Sequence, residues 1–300
     1  MEEIISPIHK KNIEKDLSKL EPVRETKNGS LVYITNSTHK HILDEIGRLR
    51  ELSFRKSGAG SGKEKDIDKF DTFFKQMIII DPEKNKIIGG YRFLEGNNIK
   101  AEKNQIYTPM GKLFDTNQAY IKDDLPKDME LGRSFISPDY MGDSRSFDDL
   151  WMGIAAAARL NEAEGLLGKI TIYNDKSIIG TDFCLAIMQK YYGNSPYHFR
   201  PKKGLEAETT EKYFEISEQL DGNNIKNDFR KIKNFCDYSV VDMAPMLKAY
   251  SNITSDMEFF GASKNKDFGY VIEAGIRMLI KNIKKDKKER YLDSYNPKVR

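Results

Sequence analysis

Side chains alternate in character from residue 129 to residue 136. One set is Met129, Leu131, Arg133 and Phe135, and the other is Glu130, Gly132, Ser134 and Ile136. This period of two predicts a β-strand, which Ser137, Pro138 and Asp139 end. Ser146 is a predicted N-cap, because the apolar residues after it recur at the spacing of a helix with one buried stripe. The central unit is therefore predicted as a strand, a turn and a helix.

Similar patterns predict the elements on either side of this unit. Helical spacing occurs in the ranges 2–20, 38–56 and 181–192, and a helix-like run occupies 270–285. Extended stretches occupy 31–34 and 168–173, and a hairpin is predicted from 73–80 and 86–94. Gly89 and Gly90 lie inside the second hairpin strand, where paired glycines indicate a bulge or a close approach of two backbones. Helices interspersed with strands predict an α/β fold.

The length and composition are those of a protein with a substantial core. The chain has 300 residues with 39% hydrophobic content, and the pattern changes near residue 204. We expect a lead-in helix and strand at 1–37, a main domain at 38–204 and a C-terminal extension at 205–300. The net charge of +3 is small, so nucleic acid is not required as a partner.

Cysteine usage and hydropathy point to a cytoplasmic protein. Cys184 and Cys236 are far apart and predict neither a disulfide framework nor a zinc site. The N-terminus has no signal-peptide pattern, and no stretch approaches the ~20 apolar residues of a spanning helix. The amphipathic stretch at 2–20 either packs on the core or contacts anionic lipid, and its pattern leaves both open.

The segment SGAGSGKE at 57–64 is similar to a phosphate-binding P-loop but departs from it. Ser57 occupies the first glycine position, Glu64 occupies the position of the magnesium-binding hydroxyl, and a helix precedes the motif instead of a strand. A nucleoside triphosphatase is therefore rejected. Dense glycine and serine predict a mobile loop, and such loops beside active sites commonly close over substrate.

Acidic residues and arginines are the remaining candidates for chemistry. The histidines lack metal-ligand spacing, so no metal site is expected. The charged residues near predicted strands and helix ends are Asp66, Asp68, Asp71 and Glu130, with Arg50, Arg92 and Arg133. They form either structural salt bridges or a site that uses buried charge.

These motifs together resemble one family. The motifs are Arg50 with Phe54, DIDKFD at 66–71, GGYR at 89–92, ELGRSFISPDY at 130–140 and LW at 150–151. In this order they resemble the bacterial N-acyltransferases of ornithine-lipid and glycine-lipid synthesis, often called hemolysin-like. That family is similar to acyl-homoserine-lactone synthases and belongs to the GNAT superfamily. The resemblance spans about residues 40–200 and implies a GNAT-like mixed central sheet flanked by helices.

The resemblance implies transfer of a fatty acyl group, often 3-hydroxylated, from acyl carrier protein to the amine of glycine or ornithine. PMLKAY at 245–250 is similar to the tail of the glycine type, which favours glycine. The donor is then the 4′-phosphopantetheine arm, with acyl-CoA as the alternative, and no cofactor is bound tightly. Two other functions stay open: an acyl-CoA-dependent acetyltransferase acting on a small amine, and a non-catalytic module that binds lipid or carrier protein.

The resemblance also assigns site residues. It places Glu130 as the general base and adds Arg133, Asp68 and Asp71 to the catalytic set. The implied substrate-binding residues are Arg50, Phe54, Arg92, Leu131, Phe135 and Trp151. Gly142, Ser144 and Arg145 are the residues expected to hold the phosphate of the pantetheine arm, because the acidic turn disfavours a pyrophosphate. Basic patches would dock the acidic carrier protein, and contact with the inner face of the membrane is a further expectation.

Overall fold

The computed structural model describes residues 1–173, 178–194, 198–235 and 245–295. The helices are α1 (Lys10–Leu17), α2 (Lys40–Lys56), α3 (Pro109–Leu113), α4 (Gln118–Asp123), α5 (Ser144–Leu160), α6 (Ile178–Tyr192), α7 (Glu211–Gln219), α8 (Ile225–Phe235), α9 (Pro245–Ile253) and α10 (Lys285–Lys288). The strands are β1 (Arg24–Glu25), β2 (Leu31–Thr35), β3 (Lys75–Asp81), β4 (Lys86–Glu95), β5 (Ala101–Glu102), β6 (Gln105–Ile106), β7 (Phe114–Thr116), β8 (Asp128–Ile136), β9 (Gly165–Ile172), β10 (Phe199–Pro201), β11 (Met257–Asn265) and β12 (Val271–Leu279). The predicted α/β class is confirmed.

The chain forms two compact units. The first unit contains Met1–Ile99, Pro126–Glu164 and the described residues from Lys285 onward. Its strands pair in the order β1, β2, β3, β4 and β8, each antiparallel to the next. The predicted hairpin and the predicted strand at 129–136 are both confirmed as β3, β4 and β8.

Helices α2 and α5 cover opposite faces of this sheet. Gln76 of β3 is bonded to Arg50 of α2, whereas the next residue, Met77, contacts Gly153 of α5. Successive side chains of a strand point to opposite faces, so the two helices are on different sides. Both charged and apolar residues of the strands are therefore buried, which explains the near-continuous burial of β4.

Gly89 and Gly90 allow the backbones of three strands to approach closely. A Cβ atom at Gly89 would lie 2.5 Å from the carbonyl oxygen of Phe135, and one at Gly90 would lie 2.5 Å from that of Met77. The predicted close approach is confirmed. Two residues of β8 also oppose one residue of β4 between the pairs Gly90↔Phe135 and Arg92↔Gly132, which is a β-bulge.

The second unit contains Lys100–Leu125 and the described residues of Gly165–Lys284. In it β12 lies between β9 and β11 and is antiparallel to both. The helix-like prediction for 270–285 was wrong for Val271–Leu279, which is a strand buried along nearly its whole length. The predicted boundary at residue 204 falls inside this unit.

The N-terminal helix is shorter than the sequence pattern predicts. Helix α1 spans Lys10–Leu17 instead of 2–20, and it packs against α2 with Ile13 and Asp16 buried. The apolar stripe around Ile13 therefore packs against α2. Among the described helices, none combines the length and the apolar character that crossing a membrane requires.

Candidate active site

A buried ion pair joins helix α2 to the DIDKFD segment. Nη1 of Arg50 donates to Asp71 at 2.9 Å, and its Nη2 donates to Gln76 at 2.5 Å. The amide of Gln76 in turn donates to Asp71 at 3.0 Å. These three side chains are almost completely buried, so each polar group depends on the others for its hydrogen bonds.

Arg92 of β4 extends the same network to Asp68. Its two terminal nitrogens contact the two oxygens of Asp68 at 2.7 and 3.1 Å, and Nη1 also donates to Asp71 at 3.1 Å. The guanidinium carbon lies 5.2 Å from the ring centre of Phe74. Asp68 and Asp71 form a capping box at the 3₁₀ turn Lys69–Thr72, so both carboxylates are held by the backbone as well.

The bulge in β8 brings Arg133 to this network. Arg133 has a φ of 52°, in the left-handed region, and its Nε lies 2.8 Å from Asp66. Its Nη2 lies 3.7 Å from Asp68, and its guanidinium carbon lies 5.9 Å from the ring centre of Phe54. The alternation in the sequence predicts that Arg133 and Glu130 lie on opposite faces of the strand. The extra residue of the bulge instead brings Arg133 to the same face as Glu130. This part of the strand prediction was wrong.

These residues form one charged network, which consists of Arg50, Arg92, Arg133, Asp66, Asp68 and Asp71. The formal charges of its three arginines and three aspartates sum to zero. Burial by itself would raise the pKa of Asp71, but Arg50 and Arg92 outweigh that effect and hold its pKa well below the ordinary value. Burial by itself would also raise the pKa of Asp68, but the charge and hydrogen bonds of Arg92 outweigh burial and lower it. Both carboxylates are therefore ionised at neutral pH and serve as fixed negative charges.

Glu130 lies on β8 opposite Leu94, three residues before Arg133. Leu94 and Arg92 share one face of β4, so Glu130 lies on the face of the sheet that carries the charged network. Its side chain is 3% exposed. The structure thus brings Glu130 onto the same face as Arg50, Asp68, Asp71, Arg92 and Arg133, which the sequence had singled out.

The predicted apolar residues take different places. Phe54 follows Arg50 by one turn on α2 and is buried against Arg133. Phe135 is buried beside Gly90, while Leu131 is only partly buried and opposite Phe93. Trp151 is buried in α5, with its ring centre 6.2 Å from that of Tyr291.

The turn before α5 is built around Asp143. This residue is the N-cap, and its side chain accepts a bond from the backbone N–H of Arg145 at 2.9 Å. The prediction of Ser146 as the N-cap was therefore wrong. The guanidinium of Arg145 also contacts Asp143 at 2.8 Å and is 73% exposed, while Gly142 has a φ of 88° and Ser144 is the first residue of the helix.

Two polar residues of this region were missed by sequence reasoning, and Asp66 was named as a candidate without an assigned role. Asp66 forms an ion pair with Arg133. Of the two missed residues, Gln76 joins Arg50 to Asp71, and Glu51 holds the glycine-rich loop. The signal for Glu51 was available, because a second charged residue follows Arg50 on the buried side of a helix. Within the described ranges, no three His, Cys, Asp or Glu side chains come together as metal ligands.

Comparisons with known proteins indicate the class of this chain. A family model described as an acetyltransferase (GNAT) domain matches residues 49–152, which include the charged network. The structure of a CoA-dependent acyl-homoserine lactone synthase, MesI, aligns over 88% of this chain and 94% of that chain, with a TM-score of 0.42 and 12% identity. The match of the family model identifies residues 49–152 as a GNAT domain.

Two relatives define the family within this class more closely. Glycine N(alpha)-acyltransferase of Phocaeicola vulgatus is 32% identical over 308 residues, covering 98% of this chain and 94% of that protein. L-ornithine N(alpha)-acyltransferase of Brucella abortus is 28% identical over 125 residues, covering 40% of this chain and 43% of that protein. The chain belongs to the N-acyltransferase family that includes the glycine N(alpha)-acyltransferase. The predicted family, the GNAT-like fold and the N-acyltransferase class are confirmed.

Proposed function

We propose that this enzyme transfers a fatty acyl group from a carrier-bound thioester to the α-amine of glycine. The observation that carries the proposal is the extent of the match to the glycine N(alpha)-acyltransferase, which covers 98% of this chain. The match to the ornithine enzyme covers 40% of the chain. An amino-acid acceptor is common to both relatives, and the full-length match favours glycine.

Glu130 is the general base in this proposal. The acceptor amine is protonated at neutral pH and must lose a proton before its nitrogen can attack. Glu130 accepts that proton directly or through a water molecule. The nitrogen then forms a bond with the thioester carbonyl carbon, and the carbonyl oxygen becomes an oxyanion. When the carbonyl re-forms, the C–S bond breaks, and the sulfur takes up the second proton lost by the nitrogen and leaves as the thiol of the pantetheine arm. Backbone N–H groups on the strand from Leu131 onward stabilise the oxyanion in this proposal.

The charged network orders the acceptor site. Asp71 accepts bonds from both Arg50 and Arg92, and Arg92 also donates to Asp68, which supports a role in positioning. Arg133 and Asp68 are more exposed, at 19% and 27% of their side chains. We propose that Arg133 binds the acceptor carboxylate and that the more deeply buried Arg92 is the second arginine of this site. Phe54, Leu131, Phe135 and Trp151 are the proposed contacts for the apolar parts of the substrates.

Acyl carrier protein is the proposed donor, with acyl-CoA as the alternative. Gly142, Ser144 and Arg145 would hold the single phosphate of its 4′-phosphopantetheine arm. Asp143 caps α5 in the same turn, and its negative charge disfavours the two phosphates of a pyrophosphate. Basic residues such as Lys202 and Lys203 would face the acidic carrier protein. Peripheral membrane contact is part of the proposal because the product is a lipid.

The test is an assay of the purified protein with 3-hydroxyacyl carrier protein, the matching acyl-CoA and a panel of amino acids. Mass spectrometry of the products identifies the acceptor and the chain. We expect N-acylglycine from the carrier-protein thioester, with ornithine and acyl-CoA giving much slower turnover. N-acylornithine as the main product would overturn the choice of glycine, and turnover with acetyl-CoA alone would overturn the lipid substrate.

A further inference from the structure

Two adjacent residues of helix α2 have opposite charges and are both completely buried. Arg50 and Glu51 each have 0% exposure. Arg50 belongs to the charged network described above, whereas Glu51 has a separate set of partners. A buried carboxylate without partners would be strongly destabilising, so the bonds that Glu51 makes identify what the fold uses it for.

Every bond of Glu51 that the structure describes, apart from that with Arg55, goes to the glycine-rich loop. One carboxylate oxygen accepts the backbone N–H and the hydroxyl of Ser61 at 3.0 and 2.8 Å. The other accepts the backbone N–H of Gly62 at 2.9 Å and Nε of Arg55 at 2.7 Å. These bonds outweigh burial and lower the pKa of Glu51, so the carboxylate stays charged. The loop predicted to be mobile is thus held at Ser61 and Gly62.

Gly60 fits this anchor closely. Its φ is 124°, which L side chains rarely adopt, and a Cβ atom there would lie 3.1 Å from an oxygen of Glu51. Arg55 also donates to the backbone oxygens of Glu2 and Lys63, both at 2.8 Å. The N-terminal residues and the loop are therefore tied to the same end of α2.

The chain then runs back along α2 from the loop to the charged network. Lys65 pairs with Asp44 at 2.7 Å, and the backbone N–H of Asp66 donates to the carbonyl of Gly47 at 2.9 Å. Asp66 and Asp68 follow at once and contact Arg133 and Arg92. The segment 60–71 is thus fixed at its start by Glu51 and at its end by Arg50, through Asp71.

We propose that Glu51 is a positioning residue for N-acyl transfer, which fixes the segment 60–71 so that Asp66 and Asp68 meet Arg133 and Arg92 in the acceptor site. The inference rests on the proposed function for the identity of the acceptor site. Glu51 does not act as a base, because its two oxygens are occupied by N–H and O–H donors and its side chain is sealed from solvent. Its effect reaches the substrate through Asp68 and Arg133.

The test is Glu51→Gln in the full-length enzyme, with Glu45→Gln as the matched control. The amide replaces one acceptor oxygen by a donor, so bonds to Ser61 or Gly62 are lost. Glu45 is also buried on α2 but holds Arg48 and the backbone N–H of Ile8 instead of the loop. We expect kcat/KM for glycine to fall about 10- to 100-fold in Glu51→Gln, mainly through KM for glycine, and to change less than about twofold in Glu45→Gln.

Hydrogen exchange separates this inference from the proposed function. Peptides covering 57–68 should exchange faster in Glu51→Gln, and peptides covering 5–12 should do so in Glu45→Gln. If wild-type protein acylates no amino acid, the proposed function fails while the exchange result still reports whether Glu51 holds the segment. Unchanged exchange at 57–68, or faster exchange with unchanged KM for glycine, would overturn the positioning role.

Ser61→Ala is the second variant, for the case that Glu51→Gln does not fold. It removes one hydroxyl donor to Glu51 at the partly buried loop and leaves α2 intact. We expect the same change in KM for glycine, two- to fivefold in size, with faster exchange at 57–68. A Ser61→Ala enzyme identical to wild type in both measurements counts against the anchor.

Discussion

At the scale of single residues, Glu130 is the side chain on which the proposed chemistry depends. Glu130→Gln preserves size but removes the group that accepts the amine proton. We expect kcat to fall about 10²- to 10⁴-fold with little change in KM for the acceptor. Steady-state kinetics with glycine as the varied substrate would measure this.

The matched control for this variant is Glu273→Gln. Glu273 is equally buried but is bonded to Thr171 and Asn265 in the second unit. It should keep its kcat within about a factor of two once folding is verified. Equal kinetics for wild type and Glu130→Gln would remove Glu130 from the base role.

Asp71 gives a prediction about stability. Its neutral variant Asp71→Asn removes the carboxylate that pairs with Arg50 and leaves Arg92 paired with Asp68 alone, so we expect a loss of about 3–5 kcal/mol at pH 7. Since folding lowers the pKa of Asp71, its stabilisation is complete above the unfolded pKa of ~3.9 and is lost as pH falls toward the folded value. Urea unfolding at pH 7 and near pH 3 should therefore show the two proteins converging in acid.

The control for Asp71→Asn is a surface carboxylate. Asp139 pairs with Lys86 at 2.8 Å, but both side chains are more than half exposed. Asp139→Asn should therefore lower the free energy of unfolding by less than about 1 kcal/mol. If Asp71→Asn lowered the free energy of unfolding at pH 7 by no more than Asp139→Asn does, the buried pair of Arg50 and Asp71 would not be needed for stability.

At the scale of elements, the paired glycines set the spacing of β3, β4 and β8. Gly89→Ala would place a methyl group 2.5 Å from a carbonyl oxygen of β8, and backbone cannot move aside as a side chain can. We expect a loss of about 1–3 kcal/mol. Gly132→Ala on β8 meets no atom within 4 Å and should unfold like wild type in the same urea titration. Equal unfolding of both variants would contradict the close-approach argument.

The elements also show which local patterns could be read from sequence. The hairpin and β8 were predicted because turn residues and alternation are local signals. The strand Val271–Leu279 was predicted as helix-like because it is buried on both faces, so it has no period of two. The bulge that carries Arg133 depends on how β8 pairs with β4, and the sequence of β8 alone contains no sign of it.

At the scale of the whole molecule, the order of the chain hides how its parts group. The first unit contains three separate stretches of sequence, including one near the C-terminus. β9 pairs with β12, whose sequence lies about a hundred residues further along. Charged residues of the site were nevertheless predicted as a set, since motifs at 50–151 fall mainly within the first unit. The anchor at Glu51 was missed because the sequence shows a charge on the buried side of a helix but not which backbone N–H groups that charge accepts.

The C-terminal segment from Lys285 to Tyr295 returns to the first unit and is held by Arg24. This buried guanidinium donates to the backbone oxygens of Met152 and Tyr291 at 3.0 and 2.7 Å, and to the hydroxyl of Ser294 at 2.8 Å. Arg24→Met keeps an apolar stem but removes these bonds and leaves two buried carbonyls without this donor. We expect a loss of about 2–4 kcal/mol and faster hydrogen exchange at 285–295, measured by urea unfolding and mass spectrometry.

Lys285→Gln is the control on the same segment, because its side chain is 92% exposed and its pair with Glu289 is long, at 3.9 Å. A surface pair of this kind contributes little, so stability and exchange should match wild type. If Arg24→Met changed exchange in α5 but not at 285–295, Arg24 would be supporting the helix through Met152 alone. If it changed both, the bonds from one arginine to α5 and to the returning segment would connect the two ends of the chain within one unit.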